Sequence, residues 1–316
     1  VKHSGSNRIE LMKMSTMSLY ESGESNGAIS LADLFSNPAM VIDGIQSSTT
    51  VEGLIYAVCR GGWPATFKCR TDKARLKIAY NALKSTCDRD ISQFDGVKRK
   101  SEIAYAILRS YARNISTFAK KTSMIEDVKS MLGSMTEPTF DDYQGVLKKL
   151  YIIDDINGWC PSIRSASGMR SGPKREFVDP SIAVAALGLS PDSFQYDLKT
   201  FGFFFENLCV RDLRAYTQGE DASISYYHDR YNLEADCVLH LRDGKYALIE
   251  FKLGSSEIEE ASRHLLEIKR LVSEYNKKGN APSLREPDLL LIITGTEYAY
   301  RRKDGIFIIP IGCLRD

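Results

Sequence analysis

The sequence contains no C-x-x-C pair. Its seven cysteines (Cys59, Cys69, Cys87, Cys160, Cys209, Cys237 and Cys313) are scattered and odd in number. That argues against a disulfide framework or a zinc ribbon and fits a reducing, cytoplasmic setting. Long apolar runs are also missing: the longest, Ile182 to Leu187, falls far short of the roughly 20 residues that cross a bilayer. The chain opens Val-Lys-His-Ser-Gly, without the hydrophobic stretch of a signal peptide. Lacking an initiator Met, it reads as a fragment or a trimmed chain. No G-x-x-x-x-G-K-[ST] occurs, so no ATP site and no ATP hydrolysis are expected. Neither sign of charge dominates: 42 Lys and Arg against 41 Asp and Glu leave +1. Affinity for nucleic acid would therefore have to come from clustering of basic residues on one face.

What is present suits a soluble globular protein. A chain of 316 residues, 43% apolar and 26% charged, is long enough for two cores. Residues 1–30 are poor in apolar side chains and read as the end of something upstream plus a linker. Apolar residues at helical spacing then predict a helix ending at Gly61-Gly62-Trp63-Pro64, where glycine caps it and proline forbids continuation. A second helix is expected over about 72–92. Three more helices are expected between 101 and 150, followed by a strand at Tyr151–Ile156. Helices closed by a strand are the plan of a winged helix, so residues 31–160 are expected to form a helical, winged-helix-like domain. Arg113, Lys120 and Lys121 stud this region and are candidates for phosphate contacts; an ordinary solvated surface is the competing reading. Residues 161–196 form a basic connector with a short helix, in which Arg170, Lys174 and Arg175 are candidate backbone grips and a solvated hinge is the alternative.

Residues 197–316 carry the chemistry. The pattern reads helix, three strands, helix, then two more strands. Glu206 lies in an apolar row of the first helix with no partner at i+4, which is costly unless something positive meets it. Strands are expected at Ser223–His228, Leu233–Leu241 and Tyr246–Leu253. A three-residue turn, Arg242-Asp243-Gly244, places Asp236 opposite Glu250 and collects the remaining apolar residues on the other face. Residues two apart on a strand share a side, so Glu250 and Lys252 look into the space that Asp236 faces. Asp236 and Glu250, with Glu206 as a further ligand, suit an octahedral Mg²⁺ or Mn²⁺. Lys252 is placed to orient or deprotonate an attacking water. Ser256-x-x-Glu259 predicts a capping box for the next helix, and Pro310 predicts an edge for the last strand. Arg301 and Arg302, in a basic aromatic turn, are candidates to clamp a nucleic-acid strand.

Glu206, Asp236 and Glu250-Phe251-Lys252 resemble the motif of the PD-(D/E)XK nuclease superfamily, with Ala235 where a proline commonly precedes the aspartate. That resemblance implies an αβββαβ, restriction-endonuclease-like core with a mixed central sheet, giving an α/β fold (α+β overall). Over nearly its full length the chain also resembles the C-terminal portion of a prokaryotic family in which an AAA-type ATPase core precedes a domain of unknown function with this nuclease-like fold. The carrying stretches are 17–25, Cys59-Arg60-Gly61-Gly62-Trp63-Pro64, 111–116, Pro173-Lys174-Arg175-x-Phe177-Val178-Asp179-Pro180 and Ile249-Glu250-Phe251-Lys252. This resemblance implies that the chain is the distal part of an ATPase whose motor it lacks, with that core and nucleic acid, DNA above all, as partners and homo-oligomers possible. Three functions follow as expectations: a metal-dependent nuclease, a catalytically silent nuclease fold that binds nucleic acid or protein, and an oligomerisation domain.

Overall fold

The computed structural model describes residues 13–161, 172–279 and 282–316; Arg170 lies outside them. The first part is helical: α1 (Leu31–Ser36), α2 (Val51–Arg60), α3 (Asp72–Ser85), α4 (Ile91–Gln93), α5 (Ser101–Arg113), α6 (Lys121–Leu132), α7 (Glu137–Lys149), α8 (Pro180–Leu187) and α9 (Pro191–Gln195). Thr50, Thr71 and Thr136 cap α2, α3 and α7 by accepting a first-turn N–H, and Pro138 and Pro180 sit where a missing N–H costs nothing.

The rest is α10 (Leu198–Tyr216), three antiparallel strands β3 (Ser223–His228), β4 (Glu234–His240) and β5 (Tyr246–Lys252), then α11 (Ile258–Lys277) and β6 (Leu289–Thr294). A short β7 (Tyr300–Arg301) and β8 (Phe307–Pro310) follow. With β2 (Asn157–Gly158) they make a seven-stranded mixed sheet in the order β2-β3-β4-β5-β6-β8-β7, in which β5, β6 and β8 run parallel. The uniformly buried Leu-Leu-Leu-Ile-Ile-Thr of β6 is what a strand covered on both faces requires. Cys237, Leu239, Ala247, Ile249, Leu291, Ile293, Phe307 and Ile309 pack with α10 and the helical part in one continuous core. Val238, Tyr246, Leu248, Leu290, Ile292 and Ile308 pack under the Ile258, Ala261, Leu265, Ile268 stripe of α11.

Helix α10 is the spine of the molecule. Phe201, Phe204, Phe205, Leu208, Val210 and Leu213 are all buried, as a helix covered around most of its circumference requires, while Leu198 and Phe203 are exposed. The extended strap 174–179 runs beside it and pairs with it residue by residue. Lys174 meets Glu206, the Asn207 amide donates to Glu176, and Asp179 faces Arg211 across 3.4 Å.

Several expectations change at this stage. No strand forms over Tyr151–Ile156: Ile152, Ile153 and Ile156 anchor the core, and only isolated bridges, Ile153 to Phe177 and Ile156 to Lys174, tie the segment to the strap. Tyr151, at φ 54°, turns the backbone out of an extended path. The capping box at Ser256 is also absent, since α11 starts after Glu257 without a side-chain cap. Pro310 pairs with Thr294 on β6, but β7 reaches only Phe307 and Ile308, so the proline has an open edge locally on a strand that is not the outermost.

The described part of 1–30 is built into the body. Leu19 is fully buried, and its N–H donates to Asp212 at 3.0 Å. β1 (Ile29–Ser30) pairs in parallel with β9 (Leu314–Arg315). Met17 N–H donates to the Gly62 carbonyl at 2.8 Å. A Cβ on Gly62 would overlap the Met17 carbonyl oxygen and lie 2.7 Å from its nitrogen. Gly62→Ala is therefore expected to cost about 1–3 kcal/mol by overpacking. It should also loosen residues 13–25, which limited proteolysis would detect as new early cleavage there; an unchanged digestion pattern and urea midpoint would count against this account.

Candidate active site

The β4–β5 turn has the anticipated length. His240 pairs with Tyr246, Gly244 N–H donates to the Leu241 carbonyl, and Gly244 takes φ 88° in the left-handed region. The register runs Cys237 with Ile249 and Leu239 with Ala247, which puts Asp236 level with Glu250. The ladder breaks at that level. Ser225 pairs with Val238 and Tyr227 with Ala235, two steps on β3 against three on β4. One extra residue is accommodated at Asp236–Cys237, a β-bulge. As a result Ala235 packs under α11 with Val238, whereas Cys237 packs on the α10 side, so the single apolar face expected for Ala235 and Cys237 together does not exist. The bulge re-aims Asp236, whose Oδ2 accepts the Phe251 N–H at 2.9 Å.

A connected charge cluster results. Lys252 Nζ lies 2.8 Å from Glu250 Oε2 and 3.6 Å from Asp236 Oδ2. Lys174 Nζ lies 3.5 Å from Asp236 Oδ1 and is ion-paired to Glu206 Oε1. The His264 ring, on α11, brings Nδ1 to 3.6 Å from Glu250 Oε1. Lys252 and His264 are the part-exposed members, and Glu250 is almost wholly buried. Beside His264 a groove of about 500 Å³, lined by Leu233, Glu260, Arg263, His264, Leu266, Glu267 and Arg270, opens to solvent, with Arg270 paired to Glu267 and Glu274.

Burial dominates the electrostatics. It pushes Glu250 well above the usual carboxylate range, with the Asp236 charge adding to it. Burial pushes Glu206 up as well, against the pull of Lys174. Burial also acts on Asp236, but the Lys174 and Lys252 ammoniums and the Phe251 N–H outweigh it and hold this carboxyl below its ordinary value. Burial works against the charge on both lysines, yet the surrounding carboxylates win and keep each more firmly protonated than usual. Glu176, buried behind Lys174, is pushed up to about 7 by burial.

These shifts carry a stability consequence. A carboxyl whose folded value is raised holds its proton in the folded state to higher pH than in the unfolded chain. Stability is then lost as pH rises from the unfolded value near about 4.5. The melting temperature in chelator is expected to fall between pH 5 and about 7, where Glu176 ionises, and Glu176→Gln is expected to flatten part of that fall. A wild-type melting temperature that rises across this window would contradict the assignment.

Two family models match the chain. Each is described only as a domain of unknown function: one (DUF8612) covers residues 51–193 and the other (DUF4143) residues 201–314. No curated protein and no solved structure matches. The boundary between the two matches falls just before and within the start of α10. Glu206, Asp236, Glu250 and Lys252 therefore lie in the second matched region, whereas Lys174 comes from the first.

The other candidate contact residues are mostly occupied within the chain. Arg175, almost fully buried, reaches Asp155 at 3.0 Å and donates to the Ala119 carbonyl. Lys174 is buried as well, so neither is a solvated grip. Arg113 pairs with Asp127 at 2.6 Å, and Lys121 with Glu137 and Asp141. Arg302 holds Glu259 and Asp304, and Arg301 lies over the Phe307 ring; their turn stands three strand positions from β5. Lys120 is exposed. Sequence reasoning did not assign Glu176 or the hub of Arg211, Asp179 and Asp212. Their signal was present only as charges: Arg211 and Asp212 within a largely apolar helix, and Glu176 and Asp179 within a strap that is itself mostly charged.

The donor set can be tested for a divalent ion. Glu206, Asp236 and Glu250 offer hard carboxylate oxygens, and Glu250 Oε1 is buried with no hydrogen-bond partner. By charge and donor type these residues fit Mg²⁺ or Mn²⁺. As they stand, no three acidic, histidine or cysteine side chains among the described residues converge on one ion position. Lys174 occupies the space between Glu206 and Asp236.

Proposed function

We propose that the second part of the chain carries a divalent-ion-dependent phosphodiesterase of the PD-(D/E)XK type, acting on nucleic acid and in the first place on DNA. The observation that carries this reading is the convergence of Asp236, Glu250 and Lys252 on one part-exposed point. Asp236 and Glu250, with Glu206 behind them, would hold the ion, and when bound it would offset the charge developing on phosphoryl oxygens. Lys252 stays protonated beside two carboxylates, so it serves as a hydrogen-bond donor and fixed charge toward a phosphate oxygen and not as a base. The Phe251 N–H fixes Asp236, and the groove beside His264 gives the strand its approach. In this reading the helical part, including any winged-helix role, presents the nucleic acid through surface cations such as Lys120. The chain works as the C-terminal region of an AAA-type ATPase, the place where the second matched domain is commonly found. No helix among the described residues is long and apolar enough to cross a membrane.

A second reading, a silent nuclease fold that only binds, draws support from Lys174 sitting among the carboxylates. Incubation with labelled single- and double-stranded DNA and RNA, in Mg²⁺, Mn²⁺ or chelator, separates the two. Ion-dependent cleavage is expected. Retained binding without cleavage under every condition would move the assignment to the silent fold.

A further inference from the structure

We propose that Lys174 is the resident cation of this site: its ammonium holds a position between Glu206 and Asp236 that a divalent ion takes when the lysine is replaced by an uncharged residue. Three observations converge on it. The lysine side chain is 4% exposed and touches carboxylates from two separate elements, Glu206 of α10 and Asp236 of β4. It is not a wandering surface stem. Its backbone is fixed on both sides by Ile156, with Lys174 N–H donating at 2.9 Å and Lys174 carbonyl accepting at 3.1 Å. The Phe118 ring lies 5.5 Å from the ammonium and completes its surroundings.

The charge balance favours an ion there. Glu176 and Glu250 are buried, and Glu206 and Asp236 largely so, against two ammoniums, Lys174 and Lys252, with the Arg214 charge also acting on Glu176. Removing the Lys174 ammonium leaves the oxygens of Glu206 and of the ionised Asp236 without the cation between them in a desolvated space, where a divalent ion competes with the proton that burial keeps on Glu206. Lys174 belongs to the first matched region and the carboxylates to the second, so one domain supplies the counter-ion of the other. The inference shares its residues with the function proposed above but does not require the wild-type protein to bind an ion.

The test is Mn²⁺ binding to the full chain, by calorimetry and by electron paramagnetic resonance, in the wild type, Lys174→Met and Lys174→Met/Glu206→Gln. Lys174→Met is expected to bind one Mn²⁺ more per chain than the wild type, and the double variant to lose that extra ion. If the wild type binds none and Lys174→Met binds one, the inference stands and the ion-dependent nuclease reading falls. Equal numbers and equal affinities in wild type and Lys174→Met would overturn the inference. Should Lys174→Met be unfolded in chelator, Mn²⁺ is expected to restore its melting transition through binding to the folded state alone. No recovery with Mn²⁺ up to millimolar concentration would overturn the inference equally.

Discussion

Lys252→Met and Asp236→Asn should each lower ion-dependent cleavage by about 10²–10³-fold, the range found when one preorganised charge or donor is removed from a reacting phosphoryl or acyl centre. Both substitutions are chosen to spare the fold. Asparagine keeps an oxygen that can accept the Phe251 N–H now taken by Asp236. Methionine keeps the length of the Lys252 stem while removing the charge that lies 2.8 Å from Glu250. Folding is checked by near-ultraviolet dichroism and melting, and cleavage by single-turnover rates at saturating Mg²⁺. Rates within threefold of wild type in either variant would sink the nuclease reading, because each residue is placed there at the point of reaction.

Arg211→Met should be the most damaging single change to stability, at about 3–5 kcal/mol. The guanidinium is 1% exposed and donates to Asp212 at 2.7 Å while facing Asp179 at 3.4 Å. Both aspartates hold other parts of the molecule. Asp179 accepts the Gly62 N–H and the Ser181 N–H and hydroxyl, and Asp212 accepts the Leu19 N–H and the Tyr216 hydroxyl. Without Arg211 two carboxylates are left in the interior with no counter-charge. The measurement is the urea midpoint at pH 7; a loss below about 1 kcal/mol would show that hydrogen bonds alone satisfy the pair. This hub also explains why 17–25, 59–64 and 173–180 stand out as distinctive stretches. They meet in space around Asp179 and Asp212, so their shared role is assembly of the body.

The parts legible from sequence were those fixed by neighbours in the chain. The order of helix and strands after residue 197, the β4–β5 register and the grouping of Asp236, Glu250 and Lys252 follow from periodicity and from one glycine turn. What stayed hidden depends on distant partners. Lys174 and Arg175 looked like solvated grips because charge carries no information about burial, and their partners Glu206, Asp236 and Asp155 lie 20 residues or more away. The apolar run at Tyr151–Ile156 reads as a strand because core anchors and strand residues are the same residue types. The bulge was hidden because strict alternation has no symbol for an extra residue.

That bulge works like a change of reading frame in β4. Before Asp236 the odd positions face α11, and after it they face α10. Deleting one residue at the bulge would merge the two frames into a regular ladder. A deletion in the 229–233 loop would be taken up outside the strand. Because Ala235 and Val238 already share the α11 face and Cys237 and Leu239 the α10 face, removal of Asp236 should leave the apolar residues on their present faces and cost the strand only its acidic residue and the contact to Phe251.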